Sequence, residues 1–536
     1  MTGINLSIPE VQIREIRINS ITGYHGDAEE LVRAGKTGLK DRDRSFSQCM
    51  GCATSKAACM TILIQDAAVI SHGPLGCASC LHEFAFTYRV NSPIRDLKNP
   101  TRRYIFSTNL QERDTIYGGS AKLARAIREV YSRTRANAIF VLTTCALAII
   151  GDDVESVCVE AEEELGIPVI AVFCEGFRSK VWTTGFDAAY HAIARKLIKK
   201  PLRRRSDLIN VINFWGSDVF AEWFAPFGAK PNYITPYSTV ESLESAGEAT
   251  ATVQACSTLG SYLGAVLEQE FGVPEIPAAP PYGIAQTDRW FRALGKILGK
   301  EDIAEKVIAE KKKKYLPRIE ELRRELSGKT AYVTAGAAHG HALLDVLGEL
   351  GLNAVGAAIF HHDPVYDSKR PENDQLAQRV SDYGNVPNYN VCNRQEFELV
   401  NALNRIRPDV LLARHGGMTL WGAKLGIPTL LVGDEHFSMG YEGLVNYGER
   451  LLEAIENDEF VKNLRKHAVI PYTKWWLEQP TDYFLEGGRV YDQTGGYRTA
   501  AFYLRYRRVA KRGGNPQGGT DTSLRSGVRG DDCRIF

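Results

Sequence analysis

Cys49, Cys52, Cys59, Cys77 and Cys80 crowd into 32 positions, while Cys145, Cys158, Cys174, Cys256, Cys392 and Cys533 lie scattered beyond them. In a large chain kept in a reducing compartment, crowded thiols suit metal ligation or redox work better than disulfides. Cys49-x2-Cys52 followed by Cys77-x2-Cys80 has the layout of a zinc ribbon with a wide spacer. That spacer contains the apolar stretch MTILIQDAAVI, and His72-Gly73-Pro74 turns the chain directly before Gly76-Cys77. A cysteine on such a turn can aim its sulfur at a buried cluster, where backbone N–H groups stabilise negative charge. Spacing alone leaves zinc and iron–sulfur equally open. Cys59, Cys158 and Cys392 read as small buried apolar residues. Cys256 opens an amphipathic helix, whose N–H groups favour a thiolate, although a buried helix cysteine is the plainer reading. His436, in GIPTLLVGDEHFSMGYEG, follows the last apolar strand; a lone histidine there is more often structural.

These residues need a frame to hold them. The runs Ala138–Leu142, Pro168–Phe173, Ile209–Phe214, Ala331–Ala335 and Val410–Ala413 are short and β-branched or apolar, as buried parallel strands are. Helix-period segments such as Asp152–Leu165 and His341–Leu350 lie between them. The alternation predicts an α/β fold, with parallel sheets flanked by helices. It restarts after the basic stretch KKPLRRR and again after the charged helix Glu301–Leu326. Three Rossmann-like domains are therefore expected at 46–205, 206–326 and 327–500. A polar arm with little core of its own precedes them at 1–45, and a Gly-, Arg- and Ser-rich tail follows at 501–536.

Composition excludes several classes. A hydrophobic fraction of 44% with 24% charged residues is ordinary for a globular protein. A net charge of +1 argues against a nucleic-acid surface. No apolar run is long enough to span a membrane, and the N-terminus lacks the plan of a signal peptide, so a cytoplasmic protein is expected. Gly328-Lys329-Thr330 imitates the end of a phosphate loop, but Arg323 stands where the loop needs glycine and the segment precedes a strand. ATP chemistry would belong to another chain.

Five strings, GCA at Gly51–Ala53, SHGPLGC at Ser71–Cys77, FSTNLQERDTIYGG at Phe106–Gly119, TTCALAIIGDD at Thr143–Asp153 and CEGFR at Cys174–Arg178, resemble nitrogenase component-1 proteins. With VQACSTLGSYL and the last domain, the resemblance covers roughly residues 48–455 and points to an α-type, cofactor-bearing subunit. It implies a metallocluster cavity between the three domains. It also implies that Cys52, Cys77 and Cys145 ligate a bridging P-cluster of 8Fe–7S type, shared with a homologous β-type partner in an α2β2 assembly. Cys49 and Cys80, close to the matched cysteines, stand as substitutes or supporting groups. The resemblance makes Cys256 and His436 the protein ligands of an iron–sulfur–carbide active-site cluster, iron-only or with a heterometal. Asp434 or Glu435 could accept from the other His436 nitrogen. An ATP-hydrolysing 4Fe–4S reductase protein would supply the electrons.

The departures bear on substrate. Trp182 and Phe186 occupy the positions where dinitrogen-reducing members carry glutamine and histidine. Ala85 replaces an arginine, and the region of Gly417 replaces a lysine that helps hold the cofactor's organic acid. Dinitrogen reduction and an organic acid on the cofactor are both put in question. Loss of donors and gain of aromatic walls suit an uncharged alkyl substrate, although Trp182 and Phe186 also read as core. The pattern resembles methylthio-alkane reductase, which implies cleavage of the C–S bond of small thioethers to methanethiol and a hydrocarbon. His361 and His362, with His339, His341 and His415, are the candidates for proton delivery. An iron-only or other alternative nitrogenase and a cofactor-assembly scaffold are the competing expectations.

Overall fold

The computed structural model describes residues 4–35, 39, 41–48, 51–79, 105–370, 374–432, 439–485 and the short ribbon 490–491 with 497–498. Thirteen strands within these residues build three sheets. The first holds β2 (Ala67–His72), β3 (Ile105–Ser107), β4 (Ala138–Thr143) and β5 (Val169–Val172), all parallel, in the order β3-β2-β4-β5. The second is parallel as well, β7-β6-β8, from β6 (Arg205–Ile212), β7 (Lys230–Ile234) and β8 (Ala249–Gln254). The third runs β1-β11-β10-β9-β12-β13 and is parallel except for β1 (Tyr24–Gly26), which pairs antiparallel with β11 (Tyr389–Val391). Its other members are β9 (Thr330–Ala335), β10 (Asn353–Ile359), β12 (Val410–Ala413) and β13 (Thr429–Leu431).

The sequence explains why these are interior strands. Every residue of β4, AIFVLT, is buried, as a parallel strand covered by helices on both faces must be. Helices connect the strands, because a parallel crossover needs that length. The helix Val154–Leu165 starts where Asp153 accepts the Ser156 N–H and stops at left-handed Gly166. The predicted helix Glu301–Leu326 has those bounds, while the helix expected over His341–Leu350 begins a turn earlier, at Ala337.

Strand order fixes where chemistry can sit. In each sheet the order reverses once about a central pair: between β2 and β4, between β6 and β8, and between β9 and β12. At such a point the connections leave in opposite directions and open a crevice at the carboxyl ends of the strands.

The N-terminal arm is more deeply engaged than its polar sequence suggests. Besides donating β1, it buries Ile21, Ala28 and Leu31 against the third sheet's core. Arg14 is buried too, in a fork on Asp187 with N–O distances of 2.6 and 2.7 Å, and it also donates to the Thr258 carbonyl at 2.6 Å. Arg17 bridges Asp187 and Asp367 beside it. No helix among the described residues is long and apolar enough to cross a membrane.

Candidate metallocluster sites

Cys77 and Cys145 follow β2 and β4, the two strands flanking the first sheet's reversal. The two loops are interlocked. The Thr144 hydroxyl donates to the His72 carbonyl at 3.0 Å, and a Cβ placed on Gly73 would lie 2.3 Å from Thr144 Oγ1, so only glycine fits there. Cys52 is the N-cap of the helix Ala53–Thr61, and its N–H donates to Ser55 Oγ at 3.3 Å. Thr54, two residues on, donates to the Cys174 carbonyl at 2.8 Å and ties this helix to the end of β5.

Gly176 marks where the thiols meet. A side chain there would lie 2.7 Å from Cys52 Cβ, 3.2 Å from Cys52 Sγ and 3.7 Å from Cys145 Sγ. The structure thus brings Cys52 and Cys145 together over one glycine, from stretches 93 residues apart in the sequence. Both are half-buried, as is Cys77. Leu75, Ile116, Tyr117, Ile149 and Phe177 stand exposed on the segments around them.

Cys256 sits differently. It caps the helix Ser257–Phe271 directly after β8, is only 2% exposed, and has Sγ 3.3 Å from His339 Nδ1. His339 comes from the helix Ala337–Glu349, which follows β9 at the third sheet's reversal. Burial alone pushes a thiol up, as it does for Cys158, Cys174 and Cys392, the last to about 12. At Cys256 burial pushes the same way, but the His339 imidazole, the Leu259 N–H and the Arg414 charge outweigh it and hold the thiol below its ordinary value. A buried thiol biased toward thiolate suits a soft metal, which the inert buried cysteines do not. Cys59, Cys158 and Cys392 are buried as expected of small apolar residues.

Trp182 and Phe186 are buried edge-to-face, with ring centroids 6.3 Å apart. Trp182 also meets Phe360 at 6.2 Å, and Phe360 stacks on His415 at 5.4 Å. Lys56 lies 4.5 Å over the Trp182 ring. Tyr190, one turn beyond Phe186, is close enough to Cys256 to feel its charge. These aromatic rings share one hydrophobic core with Tyr262 and Leu263 of the helix that Cys256 caps. Burial, reinforced by Arg394, Arg414 and Lys56, drives His415 well below its ordinary value, so it is neutral.

His361 and His362 follow β10 and are buried, with His341 nearby. His341 Nε2 pairs with the Tyr389 hydroxyl at 2.7 Å, and burial holds His341 down to about 3. His436 and its neighbours Asp434 and Glu435, together with Cys49, Cys80 and Ala85, lie outside the described residues. Among the described residues, no three His, Cys, Asp or Glu side chains are grouped to hold a single metal ion. The thiols present fit larger inorganic groups instead: a half-exposed pair converging on a glycine, and a buried thiol favouring its charged form.

The sequence offered His339 only as one of several candidates for proton delivery, not as the partner of Cys256, and it did not single out Asp363 facing His361. Asp363 follows two histidines after an apolar strand, which is a legible signal. The Cys256–His339 pairing spans 83 residues and two sheets, and no local pattern announces it.

A three-sheet α/β protein with thiols at two strand-order reversals is built as a metallocluster protein. Residues 52–456 match the family model of nitrogenase component 1 type oxidoreductases, and the chain belongs to that family. It is 29% identical to the nitrogenase iron-molybdenum cofactor biosynthesis protein NifE of Methanococcus maripaludis, over 75% of this chain and 83% of that protein. It is 30% identical to the nitrogenase molybdenum-iron protein alpha chain of Methanosarcina barkeri, over 66% of each. Among solved structures, nitrogenase Cp1 at pH 5 superposes with a TM-score of 0.61 at 23% identity, covering 78% of this chain and 92% of that one, which establishes the shared fold. Membership makes the chain either a nitrogenase-like α subunit or a NifE-like cofactor scaffold, and implies iron–sulfur metalloclusters.

Proposed function

We propose that this chain is the catalytic subunit of a nitrogenase-like reductase that cleaves the C–S bond of small neutral thioethers to methanethiol and a hydrocarbon. The observation that carries the reading is the buried aromatic group Trp182, Phe186 and Phe360, which shares a hydrophobic core with the helix that Cys256 caps. Such walls accept an uncharged alkyl sulfide at little desolvation cost and offer no proton to a bound nitrogen intermediate. Cys256, with His436, would hold the active-site cluster. Cys52, Cys77 and Cys145 would hold a bridging cluster, whose remaining ligands come from a homologous partner. The exposed apolar side chains around those half-buried thiols favour such a partner, since apolar clusters of this kind mark docking surfaces. An iron–sulfur group supplies single electrons when bound, here originating in an ATP-hydrolysing reductase protein. The chain's own part is to seat the thioether against aromatic rings, keep bulk water out and bring protons in.

The test is reduction by the anaerobically purified complex, given its reductase partner and ATP. Dialkyl sulfides should yield methanethiol and alkane. Reduction of acetylene or dinitrogen with sulfides left intact overturns the reading, and an iron-only nitrogenase would then take its place.

The likeness to NifE favours a second reading, a scaffold on which a cofactor is assembled and then released. His436→Ala separates the two. A scaffold continues to deliver cofactor, whereas the reductase loses stably bound cluster iron.

A further inference from the structure

Reductive cleavage of a thioether takes up two electrons and two protons, yet Trp182 and Phe186 give none and His415 is neutral. The proton must come from elsewhere. Directly after β10, His361 Nδ1 lies 3.0 Å from Asp363 Oδ1. A carboxylate can only accept, so the Nδ1–H donates and Nε2 is left to exchange protons. That Nε2 is buried and, among the described residues, has no hydrogen-bond partner. A buried ring nitrogen so left pays a desolvation penalty that a purely structural histidine avoids.

Asp363 is itself held in place. Ser20 of the N-terminal arm donates to the same oxygen, and Arg14 stands 3.7 Å from the other. Two cavities flank this group. Ser20 lines a surface cavity of about 760 Å³ with Glu15, Asn19, Asp41 and Pro364, placing the dyad one hydrogen bond from solvent. On the inner side, Asp363 and His341 line a cavity of about 10 Å³ with Ser257, Thr258 and Ser261, from the first turns of the helix that Cys256 caps. That volume approaches the space one water needs, and the lining is polar enough to hold one.

We propose that His361 is the proton carrier of the reducing site and Asp363 the residue that positions it. The proposal rests on the reading of this chain as a reductase. The Nε2–H bond of the His361 imidazolium breaks and its proton passes to the reduced carbon or sulfur. The neutral ring keeps its Nδ1–H on Asp363, and solvent restores the lost proton. The other groups facing the ring are His341, His362 and, through Asp363, Arg14 with its partners Asp187 and Asp367; Asp374 faces His362. Burial holds His341 and His362 neutral near pH 7, and among the described residues neither has a carboxylate hydrogen-bonded to its ring as His361 does.

The experiment compares His361→Gln, Asp363→Asn and Asp363→Glu in the complete complex. Hydrogen evolution serves as the assay, because it needs no organic substrate. The midpoint potential of the bound cluster is measured against pH alongside it. His361→Gln should lower turnover about 100-fold or more, the usual worth of a positioned general acid. Asp363→Asn should lower turnover and change the shape of the pH profile, because a carboxamide can donate to Nδ1 and so select the wrong ring tautomer. Asp363→Glu should restore it in part. Both removals should flatten the pH dependence of the cluster potential, with iron content and melting temperature retained. An unmoved pH profile and potential, or rates lost only along with iron or fold, overturns the proposal and leaves the dyad a structural tie to the arm. A parent complex that leaves sulfides intact sinks the thioether reading alone, because hydrogen evolution and potential still decide the relay.

Discussion

The chain offers thiols to inorganic chemistry in two places, and the two are built to opposite specifications. Cys52, Cys77 and Cys145 are half-buried at the reversal of one sheet, ringed by exposed apolar side chains. Cys256 is sealed at the reversal of another and made acidic by an imidazole contributed by a third. The first arrangement is open on one side, as suits ligands shared across a subunit boundary. The second is closed, as suits chemistry that solvent would short-circuit. The same architectural device, a crevice at the carboxyl ends of parallel strands, yields either outcome according to what covers it.

The largest effect should come from deleting one thiol at each place. Cys256→Ala should abolish substrate reduction, by more than about 100-fold given that losing even a supporting group costs 10–100-fold, while the electron paramagnetic resonance signal of the exposed cluster persists. Cys145→Ala should do the converse, sparing the buried cluster and starving it of electrons. Identical spectra in the two variants would mean that the thiols serve one site. A smaller, one-sided effect is expected of Gly176→Val. Its Cβ would meet Cys52 Cβ at 2.7 Å, so the thiol pair must separate. Overpacking of this kind costs about 1–3 kcal/mol. Iron analysis should register the loss from the exposed site only.

The last concerns acidity around the buried site. Glu275 lies against Gly264 of the helix that Cys256 caps, and burial raises its carboxyl from 4.5 to about 8. The folded chain therefore holds this proton more tightly than the unfolded one. Stability from the protonated form is complete below about pH 4.5 and drains away as pH rises toward 8. Glu275→Gln should flatten that decline, worth on the order of a few kcal/mol at most, in melting temperatures measured across this range. A parent whose melting temperature rises steadily over the same interval would contradict the assignment.

Much of this was legible from sequence, for reasons particular residues make plain. Strands such as AIFVLT are buried on both faces and so declare themselves without alternation. The charged helix Glu301–Leu326 is bounded by Gly-Lys and Ser-Gly, and its limits follow. Cys52 and Cys145 could be named because each stands in a distinctive string. What stayed hidden depends on the third dimension. Arg14 looks like a surface residue until Asp187, 173 positions away, appears beside it. His339 is one histidine among several after a strand, and only the packing of two sheets selects it as the partner of Cys256. The antiparallel register of β1 on β11 joins segments more than 350 residues apart, which no periodicity encodes.

That last pairing has a consequence for the order of assembly. The chain is synthesised from its N-terminus, but β1 has nothing to pair with until β11 has been made and β10 and β9 have aligned it. During synthesis Arg14 and Arg17 must wait as unpaired charges until Asp187 and then Asp367 emerge. The arm, made before its partners, is thus among the last segments to be placed, and a long-range closure of this kind is slow. Once seated, β1 covers β11 and leaves at that edge of the six-stranded sheet only a three-residue strand, a short template for a neighbouring nascent chain to extend.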